Sequence, residues 1–350
     1  MARWRTLDLF AGPGGLTLGF QQAEVGFAPA FAVEIEWAAA RTVERNLHCP
    51  VHRGPIEEIK EFGDVDIIVG GPPFRGFESL GRGRENPSRS YTNSLWRHYL
   101  RAVRQVKPQA FVFEIAPPFL RSEEFGEFRQ RMAADDVLKS YAFASGVLDA
   151  ADYGVPQHRR CGIIVAVRDA DEVPWPPPPT HGVNSPTGAP YVTVRDAIGG
   201  LPEYPERSDI SVDPDRKQNL HFGRNLTSVA VERYRAIPPG GNRFDLARNQ
   251  PDLLPRCWRG RPAGSADAMG RLWWDRPSST IRTEFFKPEK GRYLHPEANR
   301  PITHREAALL QSFPSDFEFE GTKIQVARQI GNAVPPCLGA AIGRFVAAQL

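Results

Sequence analysis

Cysteine is scarce in this chain. There are four in 350 residues. Cys49, Cys161, Cys257 and Cys337 are scattered, and no two stand in a Cys-x-x-Cys spacing. That pattern excludes a zinc ribbon and a disulfide framework, and it predicts reduced thiols in a cytoplasmic protein with no structural metal. Long apolar runs are missing too: none approaches the roughly 18 residues of a membrane span. The opening Met1-Ala2-Arg3-Trp4-Arg5 leads into a strand and not into a secretory signal, so no membrane partner is expected. No internal repeat is evident. An excess of one charge is also lacking, since 44 basic residues face 41 acidic ones for a net +3. This balance is weak support for a nucleic-acid partner. The distribution says more, because Arg and Lys cluster over 82–104, 156–160, 215–224 and 256–292. Any one of these clusters reads equally well as solvated surface. What is present is an ordinary globular composition and enough length for one large domain plus a small one.

The first half alternates. Strands are expected over 5–10, 30–33, 65–69, 110–113, 147–150 and 161–167, with helices over 16–23, 37–46 and 96–106 between them. Alternation of this kind predicts an α/β fold, a doubly wound and mostly parallel sheet covered by helices. After Val167 the pattern stops. Pro174-Trp175-Pro176-Pro177-Pro178-Pro179 reads as a stiff extended connector. From there to about Gly270 the chain is rich in Pro, Gly and Arg, as in a small loop-rich domain. Helices return over 305–311 and 338–350. The expected division is 1–170 plus 271–350 for the large domain and 171–270 for the small one.

Asp8-Leu9-Phe10-Ala11-Gly12-Pro13-Gly14-Gly15-Leu16 is a strand, a glycine turn and a helix start. Glycine lets a backbone approach a ligand closely, and a helix N-terminus favours negative groups. Glu34 ends the second strand, where a carboxylate can accept hydrogen bonds from ribose hydroxyls. Trp37 offers a ring for stacking. By themselves these features fit many nucleotide binders, and also a turn shaped only by packing.

Further motifs narrow the choice. Gly70-Gly71-Pro72-Pro73-Phe74-Arg75-Gly76-Phe77 resembles the active-site loop of the cytosine-5 DNA methyltransferases, whose pattern there is Gly-Gly-Pro-Pro-Cys-Gln-Gly-Phe. The segment Phe10 to Leu16 is similar to that family's first signature. Val33-Glu34 with Trp37 is similar to its second, and Gln157-His158-Arg159 to its Gln-x-Arg motif. Arg276 to Ile281, Arg305 to Pro314 and Gln329-Ile330-Gly331-Asn332-Ala333-Val334-Pro335-Pro336 resemble the later signatures, in the right order. The resemblance implies a cofactor, S-adenosylmethionine, held by Phe10, Ala11, Gly12, Gly14, Gly15, Leu16, Glu34, Trp37, Pro73, Asn332 and Val334. It implies double-stranded DNA as partner, read by 171–270 with the cytosine flipped from the stack. Donors there would include His221, Arg224, Arg233, Arg235, Arg243, Arg256, Trp258, Arg259 and Arg261. Restriction–modification, with a partner protein in that or another defence system, is the implied setting.

The same resemblance marks departures. The family attacks carbon 6 of cytosine with a thiolate, making carbon 5 nucleophilic, while a glutamate holds the ring nitrogen. Here Phe74 stands at the thiol's position. Glu114 keeps the glutamate, but Ile115 and Ala116 replace its Asn-Val neighbours. Arg159 keeps one pocket arginine, and Cys161 replaces the second. Gly54-Pro55 stands where Gly-Asp is usual. The expected activity is therefore impaired or absent methyl transfer. The alternatives left open are altered base chemistry, with Cys161 as a migrated nucleophile, and a thiol supplied by a partner. The target sequence is not legible.

Overall fold

The structure, a computed structural model, describes residues 3–73, 92, 94–212, 218–259 and 265–350. Phe74, Arg75 and Arg261, with the basic residues Arg82, Arg84, Arg89, Arg216 and Lys217, lie outside the described residues. The chain divides into two compact units.

The first unit comprises 1–154, 160–189 and 333–350. Its sheet has seven strands: β1 Trp4–Leu9, β2 Phe27–Glu34, β3 Val51–Arg53, β4 Ile67–Gly70, β5 Ala110–Ile115, β6 Tyr141–Asp149 and β7 Arg160–Arg168. Their order is β3-β2-β1-β4-β5-β7-β6. From β3 to β5 all neighbours run parallel, and β7 runs antiparallel to both β5 and β6. The expected mostly parallel α/β sheet is what forms. All of β4 is buried, as its run Ile67-Ile68-Val69 requires of a strand covered on both faces. The order reverses beside β1, which places a crevice at the carboxyl ends of β1 and β4.

Helices α1 Gly15–Gln22, α2 Trp37–Leu47, α3 Trp96–Val106 and α4 Glu123–Ala134 flank the sheet. Trp96, Tyr99, Leu100 and Val103 from α3 and Phe128 and Met132 from α4 pack on Leu7, Leu9, Ile68, Phe111 and Phe113. The C-terminal helix Pro336–Ala347 lies against α1 with no room for a side chain at Gly19. A Cβ on Gly19 would come within 2.7 Å of Gly339 Cα and of Ala340 N.

The proline-rich stretch after Val167 is not a free spacer. Tyr153 Oη donates to Pro177 O at 2.8 Å, and the N–H groups of Thr180 and His181 donate to Asp152 O. Prolines give up donors but keep acceptors, so the stretch is strapped to the unit, which extends to residue 189.

The second unit comprises 155–159 and 190–332, so 271–332 group with it. Short helices Val194–Ile198, Ser228–Arg235, Arg243–Asn249, His304–Leu310 and Lys323–Asn332 are joined by long turns. Tyr234, Ile237, Leu246, Met269 and Leu294 form a small core. Buried Arg271 supplements it by donating to the carbonyls of Tyr234, Ile237, His295, Glu297 and Ala298. Among the described residues no helix is long and apolar enough to cross a membrane.

Candidate functional site

The carboxyl end of β1 runs into a turn that only unusual backbone angles permit. Phe10, Gly12 and Gly14 have φ of 60, 56 and 86°. For Gly12 and Gly14 this left-handed region costs nothing, whereas Phe10 is held there under strain. Gly14 packs closely, since a Cβ on it would lie 2.7 Å from Leu47 Cδ1. Around Gly12 the corresponding position meets nothing within 4 Å. One glycine therefore serves packing and the other leaves open space beside the backbone.

Glu34 pins this turn. Its Oε2 accepts the Gly12 N–H at 2.7 Å and its Oε1 accepts the Glu36 N–H at 2.7 Å. It is 7% exposed, and burial raises its carboxyl above the usual range against those two hydrogen bonds. Ala11 N–H donates to Val33 O at 3.1 Å, so the ends of β1 and β2 close on each other. Gly15 and Leu16 begin α1. Trp37, at the start of α2, is 55% exposed, with the Arg41 guanidinium 4.8 Å from its ring centre. Pro55 follows β3 with its carbonyl accepting from Glu58, and the expected carboxylate is absent there.

One acid escaped the sequence reading. Asp8 is 2% exposed. Its Oδ2 accepts the Thr17 hydroxyl at 2.6 Å, and its Oδ1 is buried with no hydrogen-bond partner. Burial pushes its carboxyl up to about 7, with Thr17 opposing and Glu34 adding to the rise. An Asp between two leucines in a strand, nine residues before a helix Thr, was the signal available.

At the other side of the crevice β4 ends in Gly70 and Gly71. A Cβ on Gly71 would lie 2.6 Å from Glu114 Oε2. The glycine thus brings the Gly-Pro-Pro turn directly over the glutamate near the end of β5. Glu114 is paired with Ile163 of β7. Cys161 stands two residues before Ile163, on the same face of the sheet, and is 2% exposed. Pro73 is exposed and is the last described residue before position 74.

Arg159 belongs to the second unit. Its Nη1 donates to Gly331 O at 3.0 Å and Ile281 O at 3.3 Å. Gln157, fully buried, donates to Gln311 Oε1 at 2.6 Å and accepts from Ile281 N–H at 2.7 Å. Gln311 in turn donates to Ile330 O. The Gln-x-Arg motif therefore ties the segments at 281, 311 and 331 together. Asn332 is exposed at the end of Lys323–Asn332 in this unit, while half-buried Val334 belongs to the first.

Several arginines expected to face DNA have other partners. Arg224 donates to Phe286 O, Arg233 to Leu253 O, and Arg259 to Leu254 O and Asp252 O. Arg243 is buried, with its guanidinium 4.5 Å from the Phe244 ring centre. Loops lacking regular hydrogen bonds use guanidinium groups to satisfy carbonyls. His221 likewise joins Thr303 Oγ1 and Pro202 O. Arg224, Arg235, Arg256 and Arg259 are exposed.

A family model described as C-5 cytosine-specific DNA methylase matches residues 4–347. The chain is 32% identical to the type II methyltransferase M1.HphI of Haemophilus parahaemolyticus, covering 97% of this chain and 86% of that one. It is 30% identical to M.AgeI of Thalassovita gelatinovora, covering 98% and 99%. Among solved structures, a DNA modification methyltransferase encoded within an E. coli prophage matches with a TM-score of 0.72 and 25% identity over 98% of both chains. The S. pombe Dnmt2 methyltransferase shares the fold, with a TM-score of 0.63 and 16% identity over 99% of both. The chain belongs to the C-5 cytosine-specific DNA methylases, a family of S-adenosylmethionine-dependent enzymes.

Proposed function

We propose that this chain binds S-adenosylmethionine and double-stranded DNA and does not carry out ordinary cytosine-5 methyl transfer. The observation that carries this is Phe74, which follows Gly71-Pro72-Pro73 where the chemistry needs a thiolate. A phenyl ring cannot add to carbon 6 of a pyrimidine.

The remaining residues fit the cofactor. The open space at Gly12 and the unpartnered buried Oδ1 of Asp8 are features of a cradle built for a ligand. Glu34 would use its remaining lone pairs on the ribose. Trp37 would cover one face of the adenine, with Pro73 and Val334 of the same unit as further contacts. When bound, the cofactor supplies the methyl group. Glu114 would hold the pyrimidine of a flipped cytosine, and Arg159 would brace the segments at 281 and 331 of the second unit. Reading of the target belongs to 171–270, with Arg224, Arg235, Arg256 and Arg259 among its exposed donors. Names of relatives such as M1.HphI support a setting in restriction–modification, where a partner protein would use the bound DNA.

The test is a covalent trap. Active relatives are expected to stall as a denaturant-resistant adduct on DNA containing 5-fluorocytosine. This protein should shift that DNA in a native gel and leave no adduct after denaturation. An adduct would overturn the proposal.

A second reading has one observation behind it. Cys161 lies on the same sheet face as Glu114, two residues along β7 from its partner. An adduct that disappears in Cys161→Ser would establish a relocated nucleophile. Burial argues against it, because an enclosed thiol is shielded from a substrate.

A further inference from the structure

We infer that Asp8 reads the charge on the cofactor's sulfur, holding its proton less tightly when the methylated cofactor is bound than in the free protein or with the demethylated product. This rests on the cofactor assignment above and goes beyond it.

The geometry is that of an acidic site lacking a cation. Asp8 sits on β1 between Ala32 of β2 and Val69 of β4. The groups that face it come from each neighbouring element. Thr17 of α1 donates to Oδ2. Glu34, at the end of β2, brings a nearly enclosed carboxyl. Cys49, just before β3, and Tyr99 of α3 are both influenced by the charge of Asp8. No group in this set is basic. Neither Asp8 nor Glu34 has an ion pair among the described residues. A buried carboxylate without a cation is costly and takes up a proton instead. The rise of Asp8 to about 7 and of the Cys49 thiol to about 11, both led by burial, agrees with that placement.

S-adenosylmethionine carries a sulfonium, and its demethylated product carries a neutral thioether. The two share their carboxylate, amine and adenosine. A cation arriving beside the glycine turn supplies the charge that the acids lack, so Asp8 holds its proton less tightly. The neutral product supplies none, and Asp8 holds its proton as in the free protein. At low pH the protein must expel this proton in order to bind the cation. At high pH the proton has already gone. Affinity for S-adenosylmethionine relative to product should therefore rise with pH, by about tenfold between pH 6 and 8 for one coupled proton. Titrations of groups common to both ligands cancel in this ratio.

The experiment is titration calorimetry at pH 7 in phosphate and in Tris, whose ionisation heats differ, with each ligand in turn. Wild-type protein should release a measurable fraction of a proton with S-adenosylmethionine and less with the product. In Asp8→Asn the two ligands should give the same proton count. Thr17→Val, which removes the hydroxyl that favours the ionised form, should move the release to higher pH. Equal counts for both ligands in the wild type would overturn the inference, and so would an unchanged difference in Asp8→Asn. If Asp8→Asn does not fold, the wild-type affinity ratio across pH 6–8 decides alone, and a flat ratio overturns the inference. No binding heat from either ligand, with the protein folded, would instead overturn the cofactor assignment and this inference with it.

Discussion

A carboxyl group at position 8 stands in a strand whose neighbours are apolar, and its presence has a cost. The folded protein binds a proton there that the unfolded chain gives up near 3.8, and it keeps that proton until about 7. The folded pKa is the higher one. Its stabilising contribution is therefore complete below 3.8, declines as the pH rises, and is lost once the pH passes 7. Between pH 5 and 8 the cofactor-free wild type should lose about 2–3 kcal/mol through this group, taking 1.36 kcal/mol per pH unit. Asp8→Asn has no proton to lose. Urea unfolding at the two pH values should show the variant gaining that amount relative to wild type from pH 5 to pH 8. A constant difference would mean that Asp8 is already ionised in the folded state. Glu34 shows how far a residue's role is legible. Its place after a strand marked it as a ligand acceptor, while its bonds to Gly12 and Glu36 N–H groups depend on turn geometry that no local pattern encodes.

At the scale of elements, glycine spacing carried much of the information and the short pieces carried little. The turn 10–16 was legible because a strand end, a glycine turn and a helix start follow one another there. β3 has only three residues, too few for any periodicity, and went unseen. Helix α4 was missed although Ser122 caps it by accepting Phe125 N–H at 3.2 Å and Glu123 and Glu124 fill its first turn. Its apolar positions, Phe125, Phe128 and Met132, are thinly spread among charges. β6 was expected over four residues and spans nine, because an edge strand with one half-covered face alternates weakly. The close approach of α1 to the C-terminal helix is the clearest element-level constraint. At Gly19 a methyl group would meet backbone, not the end of a flexible side chain. Gly19→Ala must push the two helices apart, and overpacking of this kind costs about 1–3 kcal/mol. Thermal unfolding should show a lowered midpoint, and cofactor affinity should fall as well, since α1 carries Gly15 and Leu16. An unchanged midpoint would mean that the helices have slack which the distances do not allow.

For the whole molecule, the two units are built on different principles, and this governs how the chain should fail. The first is a sheet enclosed by helices, with aromatic residues such as Trp96, Tyr99, Phe111 and Phe113 fully buried. Its pattern was legible because parallel strands and amphipathic helices declare themselves by hydrophobic period. The second joins short helices by long turns, and guanidinium groups satisfy many of the carbonyls there. No sequence pattern separates such an arginine from one that meets a phosphate, so the carbonyl bonds of Arg224, Arg233 and Arg259 were not legible. Arg271 is the extreme case. It is 2% exposed, donates to five carbonyls and to Asn299 Oδ1, and is pushed below its usual range by burial. Arg271→Met keeps much of the volume and strands those acceptors. Leaving buried acceptors unpaired costs about 1–3 kcal/mol for each one that water does not reach, so the second unit should lose about 3–5 kcal/mol even after partial hydration. The first unit, whose sheet does not include this residue, should retain its cofactor turn. Calorimetric titration of S-adenosylmethionine and a native gel with duplex DNA, both on Arg271→Met, separate the two. DNA binding should be lost at a temperature where the cofactor still binds within about threefold of wild type. Parallel loss of both would show that the units do not fail independently and that the glycine turn depends on the second unit for its shape.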